Sequence, residues 1–152
     1  MKYSPAYIMD ITGVQQETLR HWRKVLPPLT KRRGGKCFST GDILALLIIK
    51  DITSTFNIQV KGLVPFAVQI FEACNVLNWS NYQNRFMSLN FSNESIEFIT
   101  FGASISELTA PLLLIDVEKH IVHVKSKLLD DTSAEQIEMY FPPRRVVPRR
   151  AA

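Results

Sequence analysis

Polar and basic side chains are concentrated in the first quarter of the chain, between Gln15 and Lys36. A glutamine amide can pair with an adenine edge, and an arginine can pair with guanine or with a phosphate. Lysines and arginines that contact phosphates hold a protein in register on a nucleic acid without reading its sequence. The candidate nucleic-acid-binding residues are Gln15, Gln16, Thr18, Arg20, Arg23, Lys24, Lys31, Arg32, Arg33 and Lys36. The alternative interpretation of these residues is an ordinary solvated surface.

The formal net charge of +4 is unevenly distributed along the 152 residues. Residues 1–62 contain ten Lys or Arg and four acids, residues 63–143 contain four bases and ten acids, and the last nine residues add four arginines. Seven of the ten N-terminal bases fall between Arg20 and Lys36, so a random partition of surface charge is the weaker alternative. A basic head and a basic tail around an acidic middle indicate a polyanionic partner for the head and a different task for the middle.

Two helices separated by a glycine turn are predicted to carry the first of the candidate residues. Ser4 and Pro5 are typical of a helix start, so we expect a helix over residues 5–11. It would end at Gly13, whose permissive backbone suits a tight turn between helices. A second helix is expected over residues 15–25, with one buried face. The apolar residues that recur on this face are Leu19, Trp22 and Leu26.

The basic segment that follows is predicted to form a wing. Pro27-Pro28 ends the second helix, because proline cannot continue it. Residues 29–38 combine strand-compatible ends with a Gly-Gly turn crowded by cations, which predicts a short β-hairpin. Ser39 and Asp42 then resemble a capping box, with Asp in place of Glu, and open a largely buried helix that continues to about Phe56.

The remaining chain changes from helical to β periodicity and back. A helix is expected over residues 60–75. The residues that recur on its apolar face are Leu63, Phe66, Ala67, Ile70, Phe71 and Cys74. Residues 86–101 alternate around a Ser-Asn-Glu-Ser turn and predict a β-hairpin, and residues 112–115 predict a third strand. Asp116 should cap a final helix, for which a strand over residues 120–125 is the alternative. The residues on the apolar stripe of this helix are Val117, Ile121, Val124 and Leu128.

We therefore expect an α+β protein built from two segments and a tail. An all-helical winged helix-turn-helix domain over residues 1–76 would precede a small α+β module over residues 79–141. The module would comprise an antiparallel hairpin, a third strand and a helix, and would serve in dimerisation or in partner binding. Residues 142–152 are rich in proline and arginine and are expected to form a disordered basic tail.

Two short motifs in the predicted head suggest a family. Residues 13–22, Gly-Val-Gln-Gln-Glu-Thr-Leu-Arg-His-Trp, resemble the Thr-Gly-Val…Thr-Leu-Arg-Tyr-Tyr segment of the mercury-resistance-regulator (MerR) family. Residues 34–39, Gly-Gly-Lys-Cys-Phe-Ser, are similar to that family's Gly-Tyr-Arg-x-Tyr-Ser wing exit, and Asp42 is the acid expected at the next helix start. The resemblance covers about residues 3–75 and implies a winged helix-turn-helix DNA-binding domain. It extends neither to the family's long dimerising helix nor to a cysteine-based metal loop.

The sequence lacks the motifs of common enzyme classes, so we expect no catalytic activity. Thr30 and Cys37 stand where a Walker loop needs Gly and Ser or Thr, and no Gly-x-Ser-x-Gly or His-Glu-x-x-His motif occurs. His120 and His123 share a predicted helix face without a third ligand nearby, so we expect neither a metal nor a cofactor. Cys37 and Cys74 have no Cys-x-x-Cys spacing, and Cys74 falls on an apolar helix face, where a core role is expected.

The sequence also predicts no membrane partner. The longest apolar run covers residues 43–49, whereas a helix needs roughly 20 apolar residues to cross a bilayer. The N-terminus shows no basic-then-apolar signal pattern. A cytoplasmic location is therefore expected.

These observations predict a sequence-specific, double-stranded-DNA-binding transcriptional regulator. The helix over residues 15–25 would enter the major groove, the wing over residues 29–38 would contact phosphates, and the arginine tail would add sequence-independent contacts. Because one such module reads one half-site, a homodimer is expected, and RNA polymerase or another regulatory protein is a further candidate partner. The alternatives are a protein-interaction adaptor and an excisionase-like architectural factor of phage or plasmid type that bends DNA.

Overall fold

Six α-helices and a three-stranded sheet make up the part of the chain that the computed structural model describes, residues 2–32, 37–76, 78–100 and 111–131. The helices are α1 (Pro5–Thr12), α2 (Gln16–Val25), α3 (Pro27–Thr30), α4 (Thr40–Thr55), α5 (Val60–Cys74) and α6 (Val117–Asp131). The strands are β1 (Arg85–Asn90), β2 (Ser95–Thr100) and β3 (Leu112–Asp116), and a 3-10 turn, Trp79–Tyr82, precedes β1. The protein is α+β, as the sequence predicted.

The predicted glycine turn separates α1 from α2. The Ser4 hydroxyl caps α1 by accepting a hydrogen bond from the amide three residues later, at 3.2 Å, and Pro5 begins the helix. Gly13 ends it with a φ of 70°, and its N–H donates to the Met9 carbonyl. A glycine adopts this left-handed backbone without steric cost. The predicted start and turn are confirmed, and α1 is one residue longer than predicted.

The second helix has the buried face that its apolar spacing predicted. Leu19 and Trp22 are buried in α2, and Leu26 is buried directly after it. The Pro-Pro pair that follows ends α2, as predicted, but it also begins α3. Proline is favoured in the first turn of a helix. The N–H groups of that turn have no intrahelical acceptor, so the N–H that proline lacks costs no hydrogen bond.

The predicted hairpin over residues 29–38 is wrong at its start. Leu29 and Thr30 belong to α3, and Leu29 is buried against the core. At the far end Phe38 is also buried and forms an isolated antiparallel bridge with Tyr3, whose N–H donates to the Phe38 carbonyl at 2.7 Å. The Gly-Gly turn of the predicted wing lies outside the described residues.

The longest helix, α4, lies at the centre of the core. Residues 41–49 and Ile52 are all buried. The predicted capping box is present: the Ser39 hydroxyl accepts from the Asp42 amide at 3.1 Å, and the Asp42 carboxylate accepts from the Ser39 N–H at 2.8 Å. α5 packs against α4. Cys74 is buried, which confirms its core role, and burial raises the pKa of its thiol. The predicted α5 core residues that are buried are Leu63, Phe66, Ala67, Ile70, Phe71 and Cys74.

The C-terminal half is an antiparallel sheet of order β2-β1-β3 with α6 against it. Met87, Leu89 and Ile115 lie on its buried face. The Asp116 carboxylate accepts from the Glu118 N–H at 3.1 Å and so caps α6, as predicted. The four residues of the predicted α6 stripe are all buried in a helix, so the alternative strand is wrong.

The buried side chains of the two predicted segments form one continuous apolar cluster. α6 packs on α4, so the expected boundary between residues 76 and 79 separates two stretches of sequence that share a core. Residues 101, 132–141 and the expected tail over residues 142–152 lie outside the described residues. Among the helices that the structure describes, none is long and apolar enough to cross a bilayer.

Polar contacts between α4 and α6 centre on Asp51. Its carboxylate accepts from Lys119 Nζ, from His120 Nε2 and from Thr55 Oγ1, each at 2.9 Å. Burial raises the pKa of Asp51, but these hydrogen bonds and the Lys119 charge outweigh burial and hold the pKa below 3.8. Burial lowers the pKa of His120 below 6.5, and the adjacent Asp51 offsets only part of this effect.

Acidification should weaken the fold through His120. Because its folded-state pKa is below the unfolded value of 6.5, the stability gained from the neutral imidazole is complete above that pH and is lost as the pH falls through it. The Asp51 contribution is present above 3.8 and is lost below that value. The charged groups facing His120 are Asp51, Lys119 and Asp116.

We expect His120→Gln to flatten the decline of the free energy of unfolding as the pH falls below 6.5, because the variant lacks the imidazole that becomes protonated. Urea unfolding at each pH measures this decline, and the wild-type protein under the same buffers is the control. Equal pH slopes for the two proteins would contradict the assignment.

Two helical glycines provide a matched test of the packing between α4 and α5. A Cβ at Gly41 would press on the Asn75 side chain and lie 2.6 Å from the Cys74 carbonyl oxygen, whereas a Cβ at Gly62 would meet only Ile58, at 3.4 Å. Gly41→Ala should lower the free energy of unfolding by about 2 kcal/mol through overpacking. Gly62→Ala should raise it by about 0.5 kcal/mol through reduced chain entropy. Chemical denaturation distinguishes the two, and a Gly41→Ala protein as stable as Gly62→Ala would refute the close contact.

Candidate nucleic-acid interface

α2 is exposed on the side away from its core contacts, and half of the predicted contact residues are exposed on it or directly before it. Leu19 and Trp22 are buried on the opposite side, which fixes the rotation of the helix about its axis. Gln15 precedes the first turn, and its side chain makes no capping hydrogen bond. The Gln15 side-chain amide is therefore not used to cap the start of α2. The predicted contact residues that are exposed on and beside α2 are Gln15, Gln16, Thr18, Arg20 and Lys24.

Arg20 has a weak intramolecular partner. Its guanidinium lies 3.2 Å from the Glu17 carboxylate, and the two side chains are 58% and 79% exposed. An exposed pair of this kind contributes about 0.5 kcal/mol. Arg20 can therefore exchange Glu17 for a base edge or a phosphate at little cost.

Arg32 is the clearest departure from the sequence prediction. Its guanidinium forms a bidentate ion pair with Asp42, a carboxylate with no exposed surface. Arg32 also donates from Nε to the Pro28 carbonyl at 3.2 Å and from Nη1 to the Cys37 carbonyl at 3.1 Å. The predicted phosphate contact is corrected to an internal one, because a charge buried in this way needs its partner inside the protein.

The Asp42 carboxylate joins three parts of the fold. Besides Arg32, it accepts from the Asn75 side-chain amide at 3.1 Å, and Asn75 in turn accepts from the Ser39 hydroxyl at 2.5 Å. These residues come from the segment after α3, from the start of α4 and from the end of α5. The network therefore fixes the exit of α3 relative to the helices of the core.

Arg23 also makes contacts within the protein. It is half-buried, its Nη2 donates to the Arg32 carbonyl at 3.0 Å, and its Cζ lies 5.6 Å from the centre of the Phe38 ring. A guanidinium over an aromatic face is a favourable cation–π contact. The predicted DNA contact of Arg23 is thus corrected to a contact between α2 and the residues after α3.

The remaining cations of the predicted wing are Lys31, Arg33 and Lys36. Lys31 is exposed, directly after α3. Arg33 and Lys36 lie outside the described residues, so their predicted phosphate contacts stay predictions.

A cleft of about 350 Å³ runs beside α2 and was not predicted from the sequence. Thr18, His21 and Trp22 of α2 form one wall, and the α4–α5 connection forms the other, with Lys61 at its end. Lys61 is exposed. In the sequence it is an isolated cation 37 residues after Lys24, and only the packing of α5 brings it to the same cleft as α2.

The arrangement exposes hydrogen-bonding and cationic groups on and around α2. Amide, hydroxyl and guanidinium groups are exposed on α2 or directly before it, and ammonium groups lie at the end of α2, after α3 and across the cleft. Among the described residues no group of three or more His, Cys, Asp or Glu side chains is arranged to hold a metal ion.

A scan of the chain against protein-family models gives no match, and a search among curated proteins finds no significantly similar sequence. The resemblance to the MerR family stays a prediction from its two motifs.

Adjacent cations allow a direct test of the Arg32 correction. Arg32→Ala should lower the free energy of unfolding by about 3 kcal/mol, because it leaves the Asp42 carboxylate buried without its charge partner. Lys31→Ala, its exposed neighbour, should change stability by no more than about 0.5 kcal/mol. Urea denaturation of the two variants measures both values. Two variants of equal stability would show that the Arg32 pair does not hold the fold.

Proposed function

We propose that the protein is a sequence-specific, double-stranded-DNA-binding transcriptional regulator and that α2 is the helix that enters the major groove. The observation that carries the proposal is the exposed polar face of α2 directly after the Gly13 turn. Residues near the start of a recognition helix are those that reach base edges. Gln15 and Gln16 suit adenine, and Arg20 suits guanine or a neighbouring phosphate.

A second set of residues would contact phosphates. Exposed cations flank α2, and such contacts provide affinity and register without base selectivity. Arg23 and Arg32 are not in this set, because both are engaged inside the protein. The proposed phosphate-contacting residues are Lys24, Lys31, Arg33, Lys36 and Lys61.

The internal arginines support the proposal in another way. A binding helix must be held rigidly, since a loosely supported site loses affinity. Arg23 ties α2 to Phe38, and Arg32 ties the next segment to α4. These contacts fix the position of α2 while its polar side chains remain exposed.

The proposal includes an assembly and a location. One head covers one half-site of DNA, so a homodimer would supply the affinity and specificity that a regulator needs. RNA polymerase or another regulatory protein is the further partner that such a role implies. A cytoplasmic location belongs to the same proposal.

The experiment begins with selection of duplexes by the wild-type protein from a random library. On the selected duplex, Arg20→Ala should weaken binding by about 1–3 kcal/mol and reduce discrimination against base changes, because a paired base edge is lost. Lys24→Ala should weaken binding to all duplexes alike and reduce the slope of log affinity against log salt by about 1. Fluorescence anisotropy across a salt series measures both effects.

Arg85→Ala is the matched control, because Arg85 is an exposed cation at the start of β1, within the acidic segment. Its affinity and salt slope should equal those of the wild type. Failure of the wild-type protein to enrich or bind any duplex would overturn the proposal in favour of an interaction adaptor. Bending of every bound duplex without sequence preference would instead favour the architectural role.

A further inference from the structure

Two side chains from distant parts of the chain form hydrogen bonds with the turn between α1 and α2. Lys50 Nζ, on α4, donates to the Thr12 carbonyl at 2.8 Å. His123 Nε2, on α6, lies 3.0 Å from the Ile11 carbonyl oxygen. Because a carbonyl can only accept, the imidazole donates through Nε2–H. The last carbonyls of a helix have no intrahelical partner and favour such donors.

Contacts within the turn complete this arrangement. The Thr12 hydroxyl donates to the Ile8 carbonyl at 2.6 Å and accepts from the Val14 N–H at 3.2 Å. A Cβ at Gly13 would lie 2.8 Å from Lys50 Nζ, so the glycine also makes room for the lysine. The direction in which the chain leaves α1 and enters α2 is therefore fixed by contacts from α1, α4 and α6.

The contact from α6 comes from the acidic C-terminal half of the chain. His123 is half-buried, and the same helix contacts Asp51 of α4 through both Lys119 and His120. The buried stripe of α6 packs into the shared core. A displacement of α6 would remove the donor from Ile11 and leave that carbonyl without this partner.

We infer that His123 is a positioning residue for α2, through which the C-terminal module sets the geometry of the DNA-reading helix. The inference rests on the proposed function, because it concerns the presentation of the same helix face. Loss of the His123 contact should loosen the turn that precedes α2 and thereby weaken DNA binding. His123 itself contacts no DNA in this mechanism.

The test compares three substitutions of His123 with one of its neighbour. Glutamine can place an N–H near the position of Nε2, whereas leucine has no donor and asparagine is too short to reach. His123→Leu should weaken binding to the selected duplex about tenfold, and His123→Gln should restore it to within about threefold of the wild type. His120→Leu is the matched control, since it removes a half-buried histidine from the same helix without touching the turn, while Lys119 keeps the contact between α6 and Asp51.

The affinity of folded His120→Leu should stay within about twofold of the wild type, even where its melting temperature falls. Hydrogen exchange on the free proteins provides a readout independent of DNA. His123→Leu should accelerate exchange at the amides of residues 13–19, and His123→Gln should not. Should the leucine variant fail to fold, the asparagine and glutamine pair makes the same comparison.

Each outcome has one meaning. A wild-type protein that binds no duplex overturns the proposed function, and the exchange measurement still decides whether His123 holds the turn. A wild-type protein that binds DNA while His123→Leu binds equally well, with unchanged exchange in residues 13–19, overturns this inference and leaves the proposed function standing. Equal losses of affinity in His123→Leu and His120→Leu would also overturn it, because α6 would then act only through general stability.

Discussion

The bidentate pair between Arg32 and Asp42 is the interaction on which the arrangement of the N-terminal helices depends. A carboxylate removed from water destabilises a fold unless charge and hydrogen bonds compensate for the loss. Asp42 obtains both, from the Arg32 guanidinium, from the Ser39 N–H and from the Asn75 amide. Since α3 follows α2 almost without a break, fixing the end of α3 against α4 and α5 also fixes where α2 can lie.

Arg23 extends this support to α2 itself. Its guanidinium reaches both the Arg32 carbonyl and the Phe38 ring, so a second cation of the basic head is used within the protein. The head therefore contains two kinds of basic residue. One kind holds the helices together, and the other kind, represented by Arg20, Lys24 and Lys31, remains exposed. Fewer cations are therefore exposed than the total positive charge of the segment suggests.

The change of charge sign along the chain does not divide the fold into independent bodies. α4 is buried along most of its length because α1, α5 and α6 all pack on it, and α6 belongs to the acidic half. The two histidines of α6 bind Asp51 on α4 and the Ile11 carbonyl at the end of α1. The acidic segment is thus part of the support of the basic one, which gives the C-terminal half a structural relation to the surface proposed to read DNA.

The sequence by itself determined the features that depend on neighbours a few residues away. Ser4 and Pro5 start α1, Gly13 turns the chain, and the Ser39 and Asp42 capping box opens α4, because each acts within a single helical turn. The apolar spacing in α2, α5 and α6 was sufficient to identify their buried faces, since burial follows helical period. The α+β class follows from these local signals.

Only the tertiary structure decided which polar groups remain free. Arg32 finds its partner ten residues along the chain, and His123 finds the Ile11 carbonyl 112 residues away. No local pattern distinguishes an arginine that will be paired internally from one that stays exposed, because the distinction depends on which carboxylate or carbonyl folding brings within hydrogen-bonding distance. The same reason applies to Leu29 and Thr30: their strand-compatible sequence became helical where packing buried Leu29 in the core.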